Sequence, residues 1–453
     1  MESDAAQIDV NNTFALFYPE KRPFFQEGSD LFDTWHTVVY TRAINDPVAA
    51  TKIIGRWNRY TLAYLGAVDE NPLLVIPFEE ESRYVAVKRN LSNTLRFRRT
   101  IGESSYIGSL ISDRRLKKNG FGSVVGVDGV FRTSNNTRFE WQFLKSYTIE
   151  PDDTSLTSDY DQLNFNKNKN SAAFDGESFS GNAIYTSIER EARHWNIDFD
   201  YIQLSPAFRA DNGFIVQNNN KRASLWSGYI FYFKSGWLER IQPNFNATRI
   251  WNYNGTVKDQ WFSPSISFNL KAQTFLNIAY LFDSEYFKKT ELNDINRWRF
   301  NLESNFSEIF RAGMFLQTGR YVANRYEDQP VRGKGLDISM WATFKPLQQL
   351  IIQPEWDYAQ MYRLDNDKRQ YAGYILRVRN NYQFTRELFF RLIVQYNNFN
   401  DDFILEPLLS YKLNPFTVFY LGSRQDYREY GSPVNWKQTS RQYFLKFQYL
   451  FQI

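Results

Sequence analysis

The stretch LFYPEKRPFFQEGSDLF, Leu16 to Phe32, sets three carboxylates, Glu20, Glu27 and Asp30, around the adjacent cations Lys21 and Arg22 and the ring pair Phe24 and Phe25. Two carboxyl groups held at a fixed separation are what acid–base hydrolysis requires. A histidine of ordinary pKa can act as a base near neutrality, and the chain has two, His36 and His194, each beside a tryptophan. No serine stands in a G-x-S-x-G elbow. Cysteine is absent, so thiolate sites and disulfides are excluded, and two histidines make a poor zinc set. The glycines of GFGSVVG, Gly120 to Gly126, miss the dinucleotide fingerprint and read as points where a strand bends. The DNDK run at Asp365 to Lys368 lacks the glycine and bidentate glutamate of a calcium loop. The carboxylates are therefore read as ion-pair anchors and the histidines as packing or turn residues. No catalytic residue, metal or cofactor is assigned.

The elements around these residues explain more. Aromatic residues make up 18% of the 453-residue chain, yet it is hydrophilic on average, so the two classes must be finely mixed. From Asp161 onward the mixing has period two. Leu276, Ile278, Tyr280 and Phe282 alternate with Asn277, Ala279, Leu281 and Asp283. Trp298, Phe300 and Leu302 alternate with Arg297, Arg299, Asn301 and Glu303. Strand side chains point alternately to opposite faces, so each segment has one apolar and one largely polar face. Weaker segments precede these, at 51–57, 60–67, 83–88, 106–111, 121–131 and 138–147. The segments are long enough to cross a bilayer at a tilt. Short connections, such as those at Lys271 to Gln273, Lys345–Pro346 and Asn414–Pro415, alternate with long polar ones.

This pattern predicts an all-β fold, a transmembrane antiparallel β-barrel of roughly 20 strands (18–22), because hydrocarbon leaves a closed ladder as the only non-helical way across. A soluble β-sandwich also alternates, but its apolar face is seldom so aromatic. The polar faces then line a lumen: Arg297, Arg299, Glu303, Glu355, Asp357, Arg377, Arg379, Arg391 and Lys446. A barrel of this size is too wide for side chains to fill. Pro19 and Pro23 would each remove a ladder donor, and Glu20, Lys21 and Arg22 suit no lipid face. Residues 1–35 are therefore expected to fold inward as a plug-like segment, with 36–453 forming the barrel. In this reading Glu20, Glu27 and Asp30 pair with lumen arginines, and Phe24 and Phe25 wedge against the wall. The terminal QYFLKFQYLFQI alternates to Ile453, as expected of a strand that closes the barrel and is read by outer-membrane assembly machinery. Residues Met1 to Val10 are too polar and acidic for a signal peptide, so export would require an earlier start. A net charge of +4 gives no reason to expect nucleic-acid binding.

The run ESDAAQIDVNNTFALFYPEKRPFFQEGSDLF, followed by VVYTRAINDP and ATKIIGRW, resembles a family of Gram-negative outer-membrane proteins. These are described as carbohydrate-binding family nine domain-containing proteins with a C-terminal barrel domain of unknown function. The likeness is dense from Glu2 to Trp57 and looser through GFGSVVGVDGVF and FRADNGF. The family's N-terminal sugar-binding-like module is not in this sequence, so its activity does not carry over. The expected function is an outer-membrane channel or transporter for polar solutes, oligosaccharides among them, narrowed by its N-terminal segment. The alternatives are a docking barrel for a periplasmic or surface protein partner and an outer-membrane hydrolase.

Overall fold

A computed structural model describes residues 13–159, 162–323, 325, 329–414, 417–432 and 435–449. Residues 1–12 of the expected plug, Pro415, Phe451 and Ile453 lie outside the described residues. One sheet of 23 strands dominates. Two of these are short continuations. Phe231–Tyr232 extends Asn220–Tyr229 along the same neighbour, Leu238–Trp251. Thr290–Leu292 and Arg297–Ser304 likewise share Thr274–Phe287. This leaves 21 positions in the wall, within the expected range, and each ladder between them is antiparallel and joins chain neighbours.

The distribution of exposure inverts that of a soluble protein. Along Asn90–Ile101 the alternate residues Asn90, Ser92, Thr94 and Arg96 are buried while Leu91 and Leu95 are exposed. Along Thr137–Ile149 the buried set is Glu140, Gln142, Leu144, Ser146 and Thr148, whereas Phe143 and Tyr147 are exposed. Polar groups thus face inward and apolar ones outward, as lipid outside demands. Trp298 is 47% exposed and packs edgewise on Tyr280 along the outer face. The exposed rings of Trp195, Tyr229, Phe231, Tyr232 and Trp237 crowd one rim, where amphipathic aromatics meet the lipid headgroups.

Connections alternate in length. Residues 58–59, 135–136 and 348–349 make tight turns at one end, and residues 70–89, 150–177 and 205–219 are long at the other. Asn90–Ile101 was not anticipated from sequence. The anticipated strand at 83–88 is instead part of a separate hairpin, Leu73–Pro77 with Ser82–Ala86. Its Leu74, Ile76 and Val85 are buried with Phe174 from residues 150–177. The turn expected at Lys345–Pro346 falls two residues later, after Leu347, where the ladder shifts register.

An odd number of meander strands makes the first, Pro47–Trp57, run the same way as the last, Trp436–Tyr449. Among the described residues each of these pairs on one side only, so the expected closing ladder is not among the described pairings. The same parity starts Pro47 at the long-loop end, and the preceding segment must deliver the chain there.

Candidate functional site

The N-terminal segment meets that requirement by running along the inner wall and back. Thr13 donates to the Glu80 carbonyl (2.8 Å), and the Ala15 amide donates to Ser82 Oγ (2.7 Å), both at the long-loop end. Pro23–Gln26 forms one helical turn, with proline at its first position where no amide is needed. Lys52 of the first wall strand caps this turn by donating to the carbonyls of Phe24 and Glu27 (both 2.5 Å). Arg98 donates to the carbonyl of Asp33 (3.1 Å). The chain then returns, and Asn45 and Asp46 donate their amides to the Asp69 carboxylate (2.8 and 2.7 Å). Phe25, Leu31 and Phe32 bury themselves against Ala63, Leu65 and Ala67 of the wall. Each large side chain so buried is worth about 1.5–3 kcal/mol.

The polar anchors differ from those expected. Glu20 does not pair with a wall arginine. It accepts from Arg22 Nη2 (2.7 Å) and Thr41 Oγ1 (2.7 Å) within the segment itself. Burial alone would raise its pKa, but these bonds hold it down to about 2. Glu27 is mostly exposed and lies 3.9 Å from Lys52. Asp30 takes part through its backbone carbonyl (Arg98 Nη2, 3.4 Å). Phe25 is buried as a wedge, whereas Phe24 is 41% exposed. The wall therefore grips backbone carbonyls, which sequence reading could not anticipate. His36 is 5% exposed, with its ring Nε2 at 3.1 Å from the Ile184 carbonyl and its amide donating to Gln142 (2.9 Å). His194 lies in a hairpin turn, Nδ1 at 2.9 Å from the Ile230 carbonyl.

A second inner element was missed altogether. Residues 205–219, SPAFRADNGFIVQNN, carry Phe208, Ala210 and Ile215 into a core with Val38, Leu110, Val124 and Ala183. Arg209, 3% exposed at its side chain, pairs with Glu150 (2.9 Å) and Asp211 (2.6 Å). Arg114 donates from Nη1 to the Asp211 carbonyl (2.5 Å) and from Nη2 to that of Ala43 (2.9 Å), tying this loop to the N-terminal segment. The wall glycines make room for it. A Cβ on Gly122 would lie 2.2 Å from Asp211 Oδ2, and one on Gly181 would lie 2.3 Å from the backbone of Phe208. Gly122 of GFGSVVG thus serves close approach. G181A should displace the loop at a cost of about 1–3 kcal/mol. Trypsin should then cleave after Arg209 in folded protein, and wild-type resistance in the variant would refute the packing.

The remaining wall residues divide by partner. Arg297 pairs with Asp283 (3.0 Å), Arg299 donates to Gln317 (2.5 Å), and Asp357 accepts from Ser339 (2.6 Å). Glu303 lies opposite Gly313, and Glu355 opposite Arg377. Asp259 and Asp283 approach across adjacent strands, the kind of carboxyl pair a hydrolase would need. Here Arg297 takes Asp283 and Arg325 takes the neighbouring Glu285 (2.6 Å), which fits an ion-pair network. Arg377, Arg379 and Arg391 share one inward face, and the Nε of each is buried with no hydrogen-bond partner. Beside Arg391 opens a cavity of about 580 Å³, walled by Lys21, Arg22 and Arg42 of the N-terminal segment and by Tyr420, Phe444 and Lys446 of the last two strands.

The sequence matches no protein-family model and no curated protein. Solved structures do resemble the fold. The copper transporter OprC superposes with a TM-score of 0.53 at 10% identity, over 89% of this chain and 77% of that one. A mutant of the ferric enterobactin receptor PfeA from Pseudomonas aeruginosa gives 0.50 at 9% identity, over 85% and 72%. The siderophore receptor PirA from Pseudomonas aeruginosa gives 0.50 at 9%, over 88% and 76%. The fold is that of the outer-membrane β-barrels.

Proposed function

We propose that this chain is an outer-membrane transporter for polar solutes whose passage is narrowed by its own N-terminal segment. The observation that carries the reading is the pairing of a lipid-type outer face with a polar inner face against which residues 13–46 pack. Such a segment inside a wide wall is a plug in the mechanical sense, since it occupies cross-section that solute would otherwise use. The copper transporter and siderophore receptors of like fold are in keeping with transport. The resemblance of Glu2 to Trp57 to the carbohydrate-binding family nine domain-containing proteins adds oligosaccharides to the candidate solutes. The alternating terminal strand would be read by the outer-membrane assembly machinery.

Deleting residues 1–35 and recording single channels in planar bilayers tests the reading. The deletion should raise unitary conductance several-fold over the full chain. Equal conductance would overturn the plug role. A full chain that conducts nothing, with or without the deletion, would leave a docking barrel as the better description.

A further inference from the structure

We propose that the inner face formed by Arg377, Arg379 and Arg391, together with the cavity beside it, is a binding site for a compact polyanionic solute bearing carboxylate or phosphate groups. The inference names the solute class for the transport reading above and rests on it only for the claim of passage.

Three observations converge. Arg377 lies opposite Gln395, Arg379 opposite Ile393 and Arg391 opposite Asn381, so the three guanidinium groups sit on one face of two adjacent strands. Arg379 and Arg391 are diagonal neighbours, about 7–8 Å apart and within reach of a single small anion, and Arg377 stands two residues further along the strand. Among the described residues the Nε of each has no hydrogen-bond partner, and Arg377 is 6% exposed, with Glu355 opposite it on the next strand and Glu406 nearby as its nearest carboxylates. Other buried arginines inside this barrel have close partners: Arg209 has Glu150 and Asp211, Arg96 has Asp128, and Arg114 has the Asp211 and Ala43 carbonyls. A buried cation without a close partner costs free energy that selection on stability alone would remove. Arg379 and Arg391, half-buried beside Arg377, add mutual repulsion. The third observation is the cavity. Its lining brings Arg391 and Lys446 of the wall together with Lys21, Arg22 and Arg42 of the N-terminal segment, Arg22 being the one held by Glu20. Lys446 is exposed to it and lies over the Tyr420 ring. Guanidinium forks bind carboxylate and phosphate in pairs of parallel bonds, and a cavity of about 580 Å³ is the size of a small-molecule site. Because Lys21 and Arg22 belong to the N-terminal segment, the ligand would touch wall and segment together.

The test uses the full chain in detergent micelles. Inorganic pyrophosphate and citrate, titrated calorimetrically, should each bind saturably, and raffinose at equal concentration should not compete. R391Q and K446Q should each weaken pyrophosphate at least tenfold. R377M should do the same, and R377K, which keeps a cation opposite Glu355, should restore part of the affinity. That combination separates a ligand site from a structural one. Absence of saturable binding by both anions, unaltered affinity in R391Q, K446Q and R377M, or competition by raffinose would each overturn the proposal. In bilayers the reversal potential under a potassium chloride gradient should show preference for chloride. Cation preference would count against the site as a selector, whereas a barrel that conducts nothing bears on the transport reading and leaves the titration to decide this one.

Discussion

Replacing Arg209 with alanine should destabilise the folded protein by about 3–5 kcal/mol. The guanidinium is the shared cation of two deeply buried carboxylates, Glu150 and Asp211, which are 1% and 2% exposed at their side chains. Removing it leaves two buried negative charges facing one another. A surface ion pair would lose no more than about 1 kcal/mol, so the size of the loss itself reports burial. The pH dependence has a definite sign. Burial pushes Glu150 up to about 7 even with Arg209 opposing it, and without Arg209 it rises further. Protonating Glu150 then relieves the variant, so R209A should be worse relative to wild type at pH 9 than at pH 6. Guanidinium unfolding in micelles at the two pH values measures this. Neutralising all three groups in R209M/E150Q/D211N should recover most of the loss, because no unpaired charge remains. A loss below about 1 kcal/mol in R209A would mean that the network does not hold residues 205–219 in place.

Legibility in the sequence followed the solvent each residue meets. Strands such as Thr274–Phe287 were readable because lipid on one side and polar surroundings on the other force a two-residue alternation. Asn90–Ile101 escaped because its outward set includes Asn93, which hydrogen-bonds Tyr64 Oη (2.8 Å), and so breaks the apolar row. The N-terminal segment was readable as non-strand because Pro19, Pro23 and the charges between them are costly in a ladder or in lipid. Its anchors were not, since Lys52 and Arg98 grip main-chain carbonyls that any sequence would offer. Residues 205–219 gave no sign of an inner element for a related reason. Inside a polar lumen a buried loop keeps its polar composition, and only the partners of Arg209 reveal it, one of them 59 positions away in the chain. The inward residues Arg297 and Arg377 were assigned to one class by alternation. The difference between them, one in a close ion pair with Asp283 and one facing Glu355 without such a contact, is a matter of neighbours on other strands.

Lowering the pH from about 6.5 to about 4 should weaken the wild-type protein relative to H36Q, by up to about 3 kcal/mol across the interval. Burial, with a smaller contribution from Arg222, depresses the His36 pKa to about 4, against the opposing pull of the Ile184 carbonyl. In the unfolded chain the same ring takes its proton near 6.5. Between those values the unfolded state holds a proton that the native state refuses, so stability falls as pH falls, by about 1.4 kcal/mol per unit at most. Glutamine at 36 cannot titrate and can still donate to the Ile184 carbonyl. Glu20, held down to about 2, begins to cost stability only below its ordinary value near 4.5, and it does so equally in both proteins. Glu150 likewise cancels in the comparison. The difference between the two unfolding curves therefore isolates the imidazole. Because His36 joins the returning N-terminal segment to the wall through Ile184 and Gln142, the same titration should loosen that segment before the wall. Hydrogen exchange at Val38 and Tyr40 should accelerate with acidification in wild type and stay level in H36Q, and parallel curves for the two proteins would remove His36 from the docking of the segment.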